Sequence, residues 1–242
     1  TGTGPQDLAE ALYFISSSGF EAEGAMEVLE ASAMGATIGL GTTATVANAL
    51  TTAMNAYGHE AMTAGEATGV MAQAVAMGKV EADQLAGALG QAIPIASQLG
   101  VSFADVNAAV AGMSLSGLTA SEAITGIRQT MFAMMAPSQQ ARLVLEGLGA
   151  DYKELQAVFR DEGYLAGIQN LKEVAGTDVN LRMILGDVQA VNTNASLLGA
   201  NLERTKEIFA EVNGASEQTL RQMALYWGVT PLAGAAFPDT AG

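Results

Sequence analysis

The sequence has no cysteine, a single histidine and few aromatic residues, and each scarcity excludes a class of site. Without cysteine, its 242 residues can form neither a disulfide nor a thiolate metal site. His59 is the only histidine, so one chain cannot build a zinc site with two or three histidine ligands. Aromatic residues make up 5% of the chain, although hydrophobic residues make up 50%. The core must therefore consist mainly of Ala, Leu, Val and Met.

Basic residues are also scarce. The chain has 25 Asp and Glu residues against 10 Lys and Arg residues, which gives a net charge of −15. Residues 1–78 contain eight acidic residues and no Lys or Arg. An electrostatic field of this sign repels phosphate backbones. We therefore expect no direct nucleic-acid binding.

Apolar residues recur at helical spacing along most of the chain, and the alternation typical of strands is nearly absent. Thr63 with Glu66, and Thr119 with Glu122, have the spacing of a capping box, in which each side chain satisfies a free backbone N–H at a helix start. Pro5 lies where the first turn of a helix tolerates proline. These patterns predict an all-α fold.

Three similar pentapeptides indicate a weak internal repeat. Residues 8–12, 46–50 and 85–89 are spaced by 38 and 39 residues, and each is predicted to open a helix that is followed by a glycine turn and a second helix. We therefore predict stacked antiparallel helix hairpins with Gly-rich turns. The alternative is that Ala- and Leu-rich helices resemble one another by composition alone. The predicted turns contain Gly19, Gly58 and Gly100.

Composition divides the chain into three parts. Residues 1–136 are predicted to form the Gly- and Ala-rich hairpins, and residues 137–227 a helical region with charges of both signs. Within the second part, residues 188–212 have the pattern of one longer amphipathic helix. Residues 228–242, with two prolines, are predicted to be a linker or frayed end. The first two parts either form separate domains or share one core.

None of the candidate chemical motifs is complete. Residues 39–44 match the G-x-G-x-x-A spacing of a dinucleotide site, but no clear strand precedes them, so a loop between helices is favoured. His59 lacks the second histidine of a zinc-binding H-E-x-x-H helix. Glu23, Glu27 and Glu30 share one helix face, which is typical of a solvated stripe. We predict no catalytic, cofactor or metal site.

Small and apolar residues suggest a face for self-association instead. Gly35 and Gly39 are four residues apart, which permits close contact between two helices. Leu85, Leu89 and Ile93 form an apolar stripe at helical spacing. These five residues are the candidate self-association face.

Two long stretches are nearly free of charge. Residues 31–58 contain no charged side chain, and residues 84–121 contain only Asp105. Both approach the length needed to span a membrane, although they are rich in Ala, Gly and polar residues. Buried helices are favoured, and a membrane-active module that helps to form a channel in a host membrane is the alternative.

Several segments resemble, in order, the shared core region of tape measure proteins from long-tailed phages. The matching strings lie in residues 8–19, 48–58, 85–102 and 118–138. A later turn, Leu185-Gly186-Asp187, is similar to a phenylalanine-glycine turn of that family, with Leu where Phe is usual. The resemblance covers about residues 5–212. Since the chain begins with Thr1, we expect it to be a processed chain or part of a longer protein.

The resemblance implies a structural, non-enzymatic virion component that is made in the host cytoplasm and resides in the tail. It implies roles in tail assembly, tail length determination and DNA ejection. The implied partners are further copies of the chain in a symmetric oligomer of few copies, tail tube and tail tip proteins, and tail assembly chaperones. The resemblance implies no cofactor.

Overall fold

The computed structural model describes residues 4–226, which form fifteen α-helices, one short 3-10 turn and no strand. The predicted all-α class is confirmed. The helices are α1 Pro5–Ser17, α2 Ala22–Thr37, α3 Thr43–Tyr57, α4 Ala64–Met77, α5 Ala82–Leu89, α6 Ile93–Leu99, α7 Phe103–Ser114, α8 Ala120–Met135, α9 Gln139–Gly147, α10 Tyr152–Asp161, α11 Tyr164–Ala175, α12 Asp178–Leu185, α13 Val188–Ala195, α14 Leu202–Asn213 and α15 Glu217–Tyr226.

Helix starts lie where the capping signals predict them. The Thr63 hydroxyl accepts a hydrogen bond from the Glu66 N–H at 3.1 Å, and the Glu66 carboxylate accepts one from the Thr63 N–H at 2.9 Å. Thr119 and Glu122 form the same capping box at the start of α8. Pro5 is the first residue of α1. Local hydrogen bonding alone therefore specifies these helix boundaries.

Replacing Thr63 by alanine is expected to lower the free energy of unfolding by about 1 kcal/mol, because the Glu66 N–H loses its acceptor. Thr125→Ala is the matched control, since Thr125 lies inside α8 and its hydroxyl donates to the Ser121 carbonyl instead of capping a helix. We expect that control to change the stability by less than about 0.5 kcal/mol. Urea unfolding followed by circular dichroism measures both values, and equal losses in the two variants would contradict the capping role.

The three similar pentapeptides occupy equivalent positions, each beginning at the fourth residue of α1, α3 or α5. In the first two units a turn with a positive-φ glycine leads to the next helix, at Gly19 (φ 92°) and Gly58 (φ 99°). The third unit differs because its first helix breaks between α5 and α6. Pro94 lies in the first turn of α6, and proline has no N–H to bond to the preceding turn.

One continuous hydrophobic core joins the two parts on either side of the predicted boundary at residues 136 and 137. Helix α7 packs against α14, α8 packs against α13, and α4 packs against α15. Every residue of α7 except Ala104 is buried. Small side chains on α7 thus allow helices from both parts to surround it. The predicted limits at residues 136 and 137 therefore describe a change in composition, and the division into domains stays a prediction.

The single amphipathic helix predicted for residues 188–212 is not formed. The segment consists of α13, a 3-10 turn at Gly199–Asn201 and α14. Gly199 has a φ of 73°, a left-handed conformation that ends helical hydrogen bonding. Leu197, just before the break, is fully buried. The predicted linker at residues 228–242 lies outside the described residues.

Candidate interaction surface

Four of the five residues predicted to form a self-association face lie inside the chain. Leu85, Leu89 and Ile93 have 0% exposure. Gly35 is also buried, and a Cβ added there would lie 3.0 Å from the Thr68 methyl group. Only Gly39, in the turn after α2, is exposed. In this fold the stripe packs within one chain, so self-association stays a prediction and requires a different surface.

The other motifs have structural roles. Residues 39–42 form the turn between α2 and α3, where Thr42 caps α3 by accepting a hydrogen bond from the Thr45 N–H. His59 is exposed, lies 3.1 Å from the Asn55 side chain and packs on the Phe20 ring. No group of three or more metal-ligating side chains occurs within residues 4–226.

The acidic stripe on α2 is exposed at Glu23 and Glu27 and partly buried at Glu30. Burial raises the pKa of Glu30, and the guanidinium of Arg221 on α15 opposes this effect. The stripe thus adjoins α15 rather than a cleft.

The nearly charge-free stretches supply much of the core. Residues 31–58 include α2 from Ala31 onward and all of α3, and residues 84–121 include α6 and α7. Their buried side chains include Leu50, Ile93 and Val106. No helix in the described part of the chain has the length and apolar character needed to cross a membrane. The membrane-active alternative stays a prediction.

A buried carboxylate joins three helices, α7, α11 and α14. Asp105 on α7 is 5% exposed and accepts a 2.7 Å hydrogen bond from the Tyr164 N–H at the start of α11. Its second oxygen accepts a 2.9 Å hydrogen bond from the side-chain amide of Asn213 on α14. Burial raises the pKa of Asp105, and these two hydrogen bonds lower it. Asp105 therefore caps α11, whose own preceding residue, Gly163, has no side chain to do so.

A second buried network lies on the other side of Tyr164. The Tyr164 hydroxyl donates a 2.8 Å hydrogen bond to the side-chain carbonyl of Asn194, and the Asn194 amide donates a 2.6 Å hydrogen bond to the Thr130 hydroxyl. Burial raises the pKa of the Tyr164 phenol. Helices α8, α11 and α13 are thereby held in one arrangement. Asn194 also lines a cavity of about 140 Å³ between α11, α12 and α13.

The surface feature best suited to binding is a groove between α6, α8 and the end of α12, with a volume of about 630 Å³. We call it the α8 groove. Phe132 and Arg128 of α8, Ile95 of α6, and Ile184 and Leu185 of α12 contribute to its lining. Phe132 is 61% exposed, so the side of the groove presents a large apolar ring to solvent.

A second exposed apolar surface lies on α1. Tyr13 is 77% exposed and Phe14 is 40% exposed. With Glu10 and Ser17, which are also exposed, they have the i, i+3, i+4, i+7 spacing of one helix face. We call this face the α1 ridge. The opposite side of α1 buries Ala11 and Ile15 completely.

Neither the α8 groove nor the α1 ridge could be predicted from the sequence. Phe14 and Phe132 each fit the helical periodicity of the apolar residues around them. The neighbouring sequence therefore does not show that they lie outside the core. The only sequence signal is that each follows a charged residue by one helical turn, Arg128 and Glu10 respectively. The turn at Leu185 and Gly186, which carries part of the resemblance, forms one wall of the α8 groove.

Comparison with known proteins supports the resemblance. The model of a family described as "Phage-related minor tail protein" matches residues 1–223. A curated relative, "Tape measure protein" from Pneumococcus phage Dp-1, is 24% identical over 152 residues. That match covers 63% of this chain but only 13% of the relative. No solved structure matches the chain. Because the family match includes nearly the whole described fold, the chain belongs to the phage-related minor tail protein family.

Proposed function

We propose that this chain is a folded helical module of a tape measure protein and acts as a structural component in tail assembly. The family match over residues 1–223 carries this proposal, and the name of the Dp-1 relative supports its finer part. The buried polar networks hold five helices of one core together, which agrees with a structural role. The proposed partners are further copies of the chain, tail tube and tip proteins, and tail assembly chaperones.

The length and packing of the helices indicate which role in tail assembly the module has. The longest helices, α2 and α8, have 16 residues each, which corresponds to about 24 Å at a rise of about 1.5 Å per residue. All fifteen helices in residues 4–226 fold back on one another rather than forming an extended rod. A protein that measures length along a tube needs an extended segment. We therefore assign this module an anchoring role at the tail tip or tube, with the measuring segment elsewhere in the protein.

Quantitative peptide mass spectrometry on purified phage or tail-like particles tests the proposal. We expect peptides from residues 79–182, where most of the Lys and Arg residues lie, at a few copies for each particle and far below the major tube protein. The low copy number follows from a central or terminal position in the tail. A non-structural cytoplasmic protein from the same culture serves as the control for contamination. Absence from particles, despite expression in the cells, would overturn the proposed role.

A further inference from the structure

We propose that the α1 ridge of one copy of this chain docks into the α8 groove of a second copy. The inference adds a contact surface to the proposed tail role. It concerns the purified chain alone, so it can fail without affecting that role. The self-association face predicted from the sequence is mostly buried, and the α1 ridge and the α8 groove are proposed in its place.

The two surfaces have complementary chemistry at matching spacing. On α1, Glu10 precedes Phe14 by four residues, and on α8, Arg128 precedes Phe132 by four residues. Both pairs are exposed. Neither Glu10 nor Arg128 forms an ion pair within residues 4–226. When two helices lie side by side in the same direction, the carboxylate can meet the guanidinium while the two aromatic rings meet one turn further along.

The groove suits a helix that carries an aromatic side chain. Ile95, Ile184 and Leu185 provide an apolar lining, and the exposed Phe132 ring stands at its side. Amphipathic helices commonly dock in such grooves through side chains at i, i+3, i+4 and i+7. Glu10, Tyr13, Phe14 and Ser17 have this spacing.

The contact must join two copies because α1 is held elsewhere in its own chain. Helix α1 packs against α2 and α3, whereas α6, α8 and α12 form the groove. Docking α1 in the groove of the same chain would require Ala11 and Ile15 to leave the core, where both are fully buried. Each copy thus offers one ridge and one groove. Such a head-to-tail contact builds a ring when the rotation between copies closes.

Charge distribution favours a second copy as the occupant. The ridge belongs to residues 1–78, which have eight acidic side chains and no Lys or Arg, while all ten basic side chains lie beyond residue 78. A ridge–ridge contact would bring like charges together. The groove lining contains one basic side chain, Arg128, and one acidic side chain, Asp187, and a ridge–groove contact places Glu10 against Arg128.

Sedimentation velocity of the complete 242-residue chain over about a hundredfold range of concentration tests the contact. The wild-type chain should associate reversibly. Phe14→Ser removes the ridge anchor and Phe132→Ser removes the groove anchor, and each should weaken association by about tenfold or more. An equimolar mixture of the two variants should form dimers and no larger species, because one intact ridge and one intact groove remain between them.

A charge exchange gives a second, independent result. Glu10→Arg and Arg128→Glu should each weaken association, and a chain that carries both changes should recover most of it. Leu143→Ser is the matched control, since Leu143 is 61% exposed but lies on α9, outside the groove lining. Its association should equal that of the wild type. Circular dichroism should show unchanged helix content in every variant, because all the replaced side chains are on the surface.

Three results would overturn the inference. The wild-type chain could remain monomeric up to its solubility limit, which would leave the groove to a different tail protein. The two serine variants could associate as strongly as the wild type. Their mixture could also fail to form dimers while the wild type associates, which would place the contact on another surface.

Discussion

Replacing Asp105 by alanine is expected to lower the free energy of unfolding by about 2 kcal/mol, because one buried donor and one partly exposed donor lose their acceptor. These donors are the Tyr164 N–H and the side-chain amide of Asn213. They lie on α11 and α14, so the variant should loosen the contact between these helices and α7. Urea unfolding at neutral pH measures the loss. A change below about 1 kcal/mol would show that the carboxylate does not hold these helices together.

Asp105→Asn separates hydrogen bonding from charge. The amide oxygen can accept from the Tyr164 N–H, and the amide nitrogen can donate to Asn213 when that side chain turns over. We therefore expect this variant to lie within about 1 kcal/mol of the wild type at neutral pH. Equal losses in the alanine and asparagine variants would contradict this assignment.

The difference in stability between the wild type and Asp105→Asn is expected to depend on pH. Burial raises the pKa of Asp105 in the folded state above the ordinary value of 3.8, so the folded chain takes up its proton at a higher pH than the unfolded chain. Protonation of Asp105 then favours folding. The stability of the wild type relative to Asp105→Asn should rise as the pH falls from neutral toward 3.8. The comparison with the asparagine variant cancels the titration of the other acidic residues.

Replacing Gly126 by alanine is the second change with a large expected effect. A Cβ at this position of α8 would lie 2.7 Å from the Thr193 Cβ on α13. Rotation of the Thr193 side chain does not move its Cβ, so the two helices have to separate. We expect a loss of about 2 kcal/mol in the free energy of unfolding. The same displacement should disturb the hydrogen bond between Asn194 and Thr130, which lie beside the contact.

Gly87→Ala is the matched control for Gly126→Ala. Gly87 lies inside α5, is exposed, and has no atom within 4 Å of an added Cβ. There alanine only reduces the freedom of the unfolded chain, and we expect the variant to gain up to about 1 kcal/mol. Thermal unfolding of both variants in the same buffer shows whether each substitution raises or lowers the stability. A gain in both would mean that α8 and α13 are not in close contact.

Close contacts at helical glycines explain how a chain with few large side chains forms one core. Gly126 permits α13 to approach α8, and Gly112 similarly permits the buried Leu197 to approach α7, where an added Cβ would lie 2.8 Å from the leucine Cδ2. Close approach compensates for small apolar side chains, because dispersion contacts depend steeply on distance. The buried Asp105 and Asn194 then fix which helices meet.

Features that depend on neighbouring residues could be predicted from the sequence. The helix starts at Thr63 and Thr119 follow from hydrogen bonds between residues three positions apart. The turns at Gly19 and Gly58 follow from the ability of glycine to adopt a positive φ. The break at Gly199 could not be predicted, because residues 188–212 keep a helical apolar pattern across it.

The sequence by itself determined the helical class, the helix starts at Pro5, Thr63 and Thr119, the acidic charge and the absence of cysteine chemistry, since each depends on composition or on contacts within a few residues. Only the tertiary structure decided which apolar stripes are buried. Leu85, Leu89 and Phe132 all have helical spacing, yet the two leucines are core residues and Phe132 is exposed. The contacts of Asp105 join residues 59 and 108 positions apart. Periodicity shows that a helix has an apolar face, but the packing of distant helices determines what that face contacts.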